Sequence, residues 1–345
     1  MAKIDEMEEI HKQILHPPIG NKPVARGLGR VAICIPTRNA GPQFARLLEM
    51  IKIQELPEMQ LVIIDSSSTD GTAALAREAE ALVKIIPQAT FNHGATRNLA
   101  YRMVDADIYI FMTQDALPAD RHTLKNLLSP LSLHPEVGVV YARQLPRSEA
   151  GPIEAFSRFF TYPAASQLKK ISDKALWGIK TVHCSNACAA YLRDALVSVG
   201  GFPDNVIMCE DVYTAARIME AGYDIYYQAD AQVYHSHNYS VWQDFQRYFD
   251  LGIFYESRER WIIEAFGGTK KQGARFFLEG LSYLNDKGCG YLFPEWVGRS
   301  AAKFCGYKLG SLERFLPTPV KRSISMHKNY WLPVDDGKKS RKGIS

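Results

Sequence analysis

The sequence predicts an α/β fold: a mostly parallel central sheet flanked by helices, followed by a helical C-terminal extension. Three observations carry this. Short apolar runs of strand character alternate with segments of helical periodicity from Val31 to Tyr141. Those runs are continuously apolar, as strands buried on both faces are in parallel sheets. The chain has 345 residues, 46% hydrophobic and 23% charged, which suits a soluble protein with a sizeable core. That composition excludes wholesale disorder, collagen-like repeats and coiled coil.

Val31–Ile35 is the first strand, stopped by Pro36. Phe44, Leu47, Leu48 and Ile51 have the spacing of a helix over 44–53. Leu61–Ile64 is a second buried strand that ends at Asp65. Thr69-Asp70-Gly71 opens a helix through about Leu82, and Val83–Ile86 is a third strand. A helix over 94–104 precedes the fourth strand, Ile108–Met112, which runs into Thr113-Gln114-Asp115. A helix over 121–133 and a strand over 137–141 complete this regular part. Residues 146–173 mix helical stretches with loops. A strand over 186–191, a short helix over 194–199 and a Gly200-Gly201 turn follow. Glu210-Asp211 opens a helix to about Ala221, and short strands are expected at 224–228 and 231–234, the second leading into His235-Ser236-His237. From Val241 onward the spacing is helical.

The chain thus divides into a leader (1–29), an α/β domain (30–240) with a join near residue 145, a helical region (241–320) and a basic tail (321–345). The formal net charge is +4. Seven lysines and arginines against two aspartates lie in the tail, so the body is close to neutral. A nucleic-acid binder carries its positive excess on the folded body, and nucleic acid is not an expected partner. The six cysteines form no Cys-x-x-Cys pair, which mildly favours a reducing compartment. Met1–Ile14 is charged, without the apolar core of a signal peptide, and no apolar run approaches the roughly 18 residues of a membrane span. The expected location is the cytoplasm.

In open α/β sheets, ligands sit at the carboxyl ends of the strands. Polar residues cluster there: Thr37-Arg38-Asn39, Asp65-Ser66-Ser67-Ser68 and Gln114-Asp115. Loops are polar in any case, yet two buried strands closed directly by an acid exceed what loop composition requires. Gly27-Leu28-Gly29 precedes the first strand, so it is no dinucleotide fingerprint, and neither a Walker A sequence nor a Gly-x-Ser-x-Gly elbow is present. Asp115 can help hold a divalent cation, but one carboxylate is a meagre site. His235 and His237 lie two apart and point the same way in an extended segment, and Mn²⁺ accepts imidazole more readily than Mg²⁺. Two histidines packed by hydrogen bonds satisfy the same spacing. Glu210-Asp211 is either a favourable charge at a helix N-terminus or a general base presented to the cleft.

Ile35-Pro-Thr-Arg-Asn39, Ile64-Asp-Ser-Ser-Ser-Thr-Asp-Gly-Thr72, Gln114-Asp115 and Cys209-Glu-Asp211 together resemble a family 2 nucleotide-sugar glycosyltransferase with the GT-A fold. Phe91-Asn-His-Gly-Ala-Thr-Arg-Asn98, Thr113–Ala116 and His235–Ser240 resemble bacterial rhamnosyltransferases within it. The resemblance covers about 31–237. It implies a donor half (30–145) and an acceptor half (146–240). Pro36, Thr37 and Arg38 would border the nucleotide, Asp65 would accept from its base or ribose, and Ser67 would lie nearby. Gly94 and Arg97 would lie against the donor, Arg97 near the diphosphate, with Gln114 and Asp115 at the donor as well. The family's Asp-x-Asp is here Thr113-Gln114-Asp115, so one metal carboxylate is missing and a histidine of the 235–237 pair stands in for it. Mn²⁺ or Mg²⁺ would be the cofactor. Asp211, beside Glu210, would be the base of an inverting transfer of L-rhamnose from dTDP-L-rhamnose.

The acceptor implied is a glycan or polyprenyl-diphosphate-linked oligosaccharide of a bacterial surface polysaccharide such as O-antigen. Alternatives are another donor, UDP-hexose or UDP-N-acetylhexosamine, and an inactive sugar-nucleotide-binding module. A pyrophosphorylase would need a Gly-rich loop directly after the first strand, where Pro36-Thr-Arg-Asn39 stands. Over 296–316, apolar residues at 297, 301, 304, 305, 309, 312, 315 and 316 accompany Arg299, Lys303, Lys308 and Arg314. This basic amphipathic stripe either packs on the catalytic domain or lies at a membrane surface.

Overall fold

A computed structural model describes residues 29–332 except Pro57 and Thr269. The leader, apart from Gly29, and residues 333–345 of the basic tail lie outside the described residues. The alternation read from the sequence is realised as β1 (Val31–Thr37), α1 (Gln43–Lys52), β2 (Met59–Asp65), α2 (Thr72–Glu78), β3 (Leu82–Ile85), α3 (His93–Arg102) and β4 (Ile108–Met112). After a short β5 (Leu117–Pro118) come α4 (Thr123–Leu133), β6 (Val137–Leu145), α5 (Pro152–Thr161) and β7 (Gln167–Lys169). Then follow β8 (Cys188–Leu192), α6 (Arg193–Ser198), α7 (Glu210–Glu220) and β9 (Asp224–Tyr234). The predicted face of α1, Phe44, Leu47, Leu48 and Ile51, is buried.

All strands join one sheet in the order β3-β2-β1-β4-β8-β6-β9-β5, with β7 on β9. β1, β2, β3, β4, β6 and β9 share a direction; β5, β7 and β8 oppose it. β8 lies antiparallel between β4 and β6. Its insertion brings the carboxyl ends of β1, β2, β4, β6 and β9 and the start of β8 to one edge, where the candidate residues gather.

Three details differ from the expectation. The strands expected at 224–228 and 231–234 are one strand, β9, whose register against β6 jumps from Ala142↔Gln228 to Arg143↔Gln232. The bulge absorbs the polar Asp230 that breaks the apolar pattern. β5 and β7 are too short to leave a periodic signal.

Ser240 opens the C-terminal helices with a capping box: its hydroxyl accepts from Gln243 N, and Gln243 accepts from Ser240 N. α8 (Val241–Gly252) continues through a π-helical segment, Ile253–Arg258, into α9 (Arg260–Phe266), α10 (Lys270–Asp286), α11 (Phe293–Ser311) and α12 (Thr318–Ile324). Phe249, Ile253, Phe254, Ile262 and Phe266 join the main core. Phe156, Leu284 and Trp296 form a second cluster joining α5, α10 and α11.

The stripe expected over 296–316 is not the face that packs. α11 meets α8 through Gly306 and Gly310, where a Cβ would fall 2.3 Å from the carbonyl oxygen of Phe245 and 2.0 Å from that of Phe249. Arg299 and Lys303 turn inward to Asp244. Val297, Phe304, Leu312 and Phe315 are left exposed. Glycine gives hydropathy periodicity no weight, so the packing face leaves no mark in the pattern, and of the two readings of the stripe the one in which it packs on the catalytic domain is not realised.

Gly310→Val should therefore destabilise the protein by about 1–3 kcal/mol or more, as overpacking does. Gly298→Ala, on the exposed side where a Cβ meets nothing within 4 Å, should stabilise by up to about 1 kcal/mol through helix propensity. Urea unfolding of the two variants checks both signs.

Candidate active site

The first wall of the site is made by the loops after β1, β2 and β4. Arg38 N donates to Gln114 Oε1 at 2.7 Å, and Gln114 Nε2 returns a bond to Arg38 O at 3.1 Å. The Arg38 guanidinium donates to Ser66 O. Pro36, Arg38 and Gln114 are half-buried, and Ser67 is exposed in the left-handed region at φ 58 with its hydroxyl on Ile86 O. These four border the open edge.

Thr37 and Asp65 sit behind them. Asp65 is 1% exposed; its oxygens accept from Thr37 Oγ1 at 3.0 Å, Ser68 N at 2.8 Å and Ser68 Oγ. Its carboxylate braces the two loops instead of facing the cleft.

Gly94 and Arg97, expected against the donor, face elsewhere. α3 is capped by Asn92, whose side chain accepts from Gly94 N and Ala95 N. Gly94 packs on the loop before α7 so tightly that a Cβ would lie 1.7 Å from Pro203 O. Asn98 bonds Phe202 in both directions, Nδ2 to its carbonyl at 2.7 Å and Oδ1 from its N–H at 2.9 Å. Arg97 is 3% exposed and pairs with Glu210 at 2.9 Å. The stretch Phe91–Asn98 thus docks onto the segment that carries Glu210-Asp211. A buried guanidinium needs a carboxylate more than the cleft needs its charge.

Cys209 adopts a left-handed conformation, φ 60, at the start of α7. Glu210 follows, buried. Burial alone would raise its pKa, but the Arg97 guanidinium outweighs burial and holds Glu210 below the usual carboxylate range. Asp211 is half-buried, accepting from Asn186 N at 3.1 Å and Val212 N at 2.8 Å. Burial, and then the negative charge of Glu210, push it well above that range. Two adjacent carboxylates are driven apart, the pattern of a group prepared to exchange a proton near neutral pH.

The second cluster is Asp115, His235 and His237. His235 Nε2 lies 3.4 Å from Asp115 Oδ1 and His237 Nε2 lies 3.6 Å from Oδ2. One donor atom from each falls within 4.8 Å of the others. Burial would raise the pKa of Asp115, but the hydrogen bond and charge of His235 outweigh it and hold the carboxyl well below its usual range. Burial, with the neighbouring His235, lowers His237 to about 4, so its ring is neutral at pH 7. A carboxylate with imidazoles suits a divalent transition ion such as Mn²⁺, and the residues present fit one.

Three contributors went unnoticed in the sequence. Arg147 donates its guanidinium to the backbone carbonyl of Asp115 and its backbone N–H to Ser236 Oγ at 3.1 Å, which ties the β4 loop to the histidine loop. Asn186 joins both acids, its N–H on Asp211 and its Nδ2 3.4 Å from Glu210. Gln144 touches His235 at 2.9 Å. A lone Arg, Asn or Gln carries no spacing signal; only the polar Ser185-Asn186 before a buried strand hinted at one.

The strand edge thus carries a carboxylate–imidazole cluster able to hold a divalent cation on one side and a carboxylate of raised pKa at a helix start on the other, an arrangement that suits a group transferase of the α/β class. Residues 32–200 match the family described as Glycosyl transferase family 2. The chain is 41% identical to the O-antigen chain rhamnosyltransferase RfbN of Salmonella typhimurium, across 88% of this chain and 96% of that one. It is 40% identical to the O-antigen chain rhamnosyltransferase WbaN of Salmonella anatum, across 87% and 95%. Its fold superposes on that of the Pyrobaculum calidifontis mannosyltransferase PcManGT, solved with GDP-Man and Mn²⁺, with a TM-score of 0.57 at 20% identity, covering 90% and 94% of the two chains. The chain belongs to glycosyl transferase family 2 and has the GT-A fold.

Removing one partner of a buried ion pair costs about 3–5 kcal/mol. Arg97→Met and Glu210→Gln should each lose about that much in urea unfolding, and the double variant should lose much less than the sum. Additive losses would show that the two groups do not stabilise each other.

Proposed function

We propose that the protein transfers L-rhamnose from dTDP-L-rhamnose to a hydroxyl of a lipid-linked O-antigen glycan, with inversion at the sugar carbon. The observation that carries this reading is the 40–41% identity, over almost the whole length, to two proteins named O-antigen chain rhamnosyltransferases. The site chemistry is consistent with it.

Asp211 is the base. Its raised pKa matches it to proton abstraction near neutrality, and Asn186 N and Val212 N hold its oxygens in place. Asp211 takes the acceptor hydroxyl proton as that oxygen attacks the sugar carbon and the diphosphate departs from the opposite face. Glu210, neutralised by Arg97, sets the field around Asp211. Pro36, Arg38, Ser67 and Gln114 border the nucleotide, with Thr37 and Asp65 holding their loops. Asp115, His235 and His237 would hold Mn²⁺ or Mg²⁺. That ion would supply positive charge against the departing diphosphate.

The acceptor has a route on the far side of the histidines. A cavity of about 330 Å³ is lined by Glu149, Glu154, Asn238, Tyr239, Asp244 and Arg299, among others, and the Tyr239 ring stacks on His237 at 5.3 Å. α11, which contributes Arg299 and Lys303 to its lining, also has an exposed face. Among the described residues no helix is long and apolar enough to cross a membrane. Val297, Phe304, Leu312 and Phe315 are 49–69% exposed, and the exposed cations Lys308, Arg314 and Arg322 accompany them. We place this face against anionic lipid on the cytoplasmic side of the membrane, where each nearby Lys or Arg is worth about 1 kcal/mol.

Asp211→Asn should lower turnover about 10²- to 10⁴-fold and leave the affinity for dTDP-L-rhamnose, read by thermal shift, nearly unchanged. In the wild type, activity should fall on acidification at a pH well above the roughly 3.9 of an ordinary aspartate, because protonation of a carboxyl with a raised pKa removes the base there. Near wild-type turnover by Asp211→Asn would end the assignment.

For the membrane face, co-sedimentation with anionic vesicles should exceed that with neutral ones and decline with salt. Truncation after Leu332, or Phe304→Asp with Phe315→Asp, should weaken it. Equal recovery in the supernatant with both vesicle types at low salt would refute this placement.

A further inference from the structure

Gln144, at the end of β6, is 2% exposed and every part of its amide is engaged. Nε2 donates to Tyr162 Oη at 2.7 Å and to Ser185 Oγ at 2.8 Å. Oε1 accepts from Arg158 Nη1 at 2.7 Å and lies 2.9 Å from His235 Nδ1. Arg158 is held in turn by Glu154, one turn earlier on α5, at 2.7 Å. A guanidinium donates and never accepts. A flipped amide would set its NH₂ against Arg158, donor against donor, whereas both hydroxyls can accept as well as donate. The orientation of Gln144 is therefore decided by Arg158, and an oxygen faces His235.

An oxygen without a hydrogen can only accept, so the hydrogen in that contact belongs to His235 Nδ1. Asp115 Oδ1 is also an acceptor, but it lies farther off, 3.4 Å from Nε2, than Gln144 Oε1 does from Nδ1, 2.9 Å; a ring with a single hydrogen keeps it on the shorter contact, Nδ1, and turns the Nε2 lone pair toward Asp115. The ring of His237 is placed by stacking on Tyr239 and by the edge of His235.

We propose that Gln144 is a positioning residue for the cation site: oriented by the Glu154–Arg158 pair, it fixes His235 as the Nδ1–H tautomer and presents Nε2, with Asp115, to a divalent metal ion. Outer-shell hydrogen bonds of this kind set the tautomer and orientation of ligating histidines. The inference rests on the reading that Asp115, His235 and His237 hold a cation, but its first test needs no metal.

In protein labelled with ¹⁵N-histidine and free of metal, long-range ¹H–¹⁵N correlation should show neutral His235 as the Nδ1–H tautomer. Gln144→Met, which keeps the bulk and removes the acceptor, should shift it toward a mixture. Calorimetric titration with Mn²⁺ should then show Gln144→Met binding about 10- to 100-fold more weakly than wild type. Gln144→Glu, able to accept from His235, Arg158 and both hydroxyls, should recover wild-type affinity to within a few-fold and the Nδ1–H tautomer with it. A variant that merely lost packing would not be rescued in this way. Wild-type His235 found as the Nε2–H tautomer, or Gln144→Met binding Mn²⁺ as tightly as wild type, would overturn the proposal. If wild type shows the Nδ1–H tautomer but takes up no Mn²⁺, the ligand role assigned to His235 fails together with the cation reading, and the orienting contact alone stands.

Discussion

Arg97 and Glu210 meet in the interior, 2.9 Å apart and almost without solvent, and much of the active edge depends on that meeting. Two acids in succession at a helix start repel one another, and burial makes the repulsion worse. Arg97 cancels one charge from behind. Glu210 can then stay ionised while Asp211 carries the strain of the site in a raised pKa. The pair also has a mechanical role. With Gly94 on Pro203 and Asn98 on Phe202, it clamps α3 to the segment that carries Asp211, so an early strand-helix unit positions a residue more than a hundred places further along the chain.

The two chemical clusters are joined by neighbouring residues. Ser185 bonds Gln144, which contacts His235; Asn186, the next residue, bonds Asp211 and approaches Glu210. Both precede β8, the strand that runs against β4 and β6. Reversing that one strand brings its start, and not its end, to the edge where the parallel strands finish. The tertiary device that breaks the parallel sheet is thus the one that links the Asp115–His235–His237 cluster to Asp211.

The C-terminal helices are held by close backbone approach. Gly306 and Gly310 let α11 lie on α8 at distances no side chain would permit, and Asp250 of α8 accepts from Met326 N and His327 N to bring the segment after α12 back onto α8. With the helix seated on its small residues, Phe304 and Phe315 have nowhere to pack. Their exposure follows from the choice of face.

The strand-helix alternation was legible in the sequence, because buried parallel strands are continuously apolar and helices repeat their apolar residues every three to four positions. So were the strand-end acids Asp65 and Asp115, the His235–His237 pair and the Glu210-Asp211 helix start, since local patterns mark each of them. What local patterns cannot carry is partnership at long range. Whether Arg97 faces a diphosphate or Glu210 depends on a contact across 113 positions, and whether Gln144 matters depends on one across 91. Gly94, expected against the donor, and Gly306 and Gly310, which carry no periodic signal, are packing surfaces in the fold. Sequence alone determined which chemistry is present and roughly where it lies along the chain. Only the tertiary structure decided which charge neutralises which, because an ion pair or an oriented amide is a property of two distant segments brought together, and neither segment encodes the other.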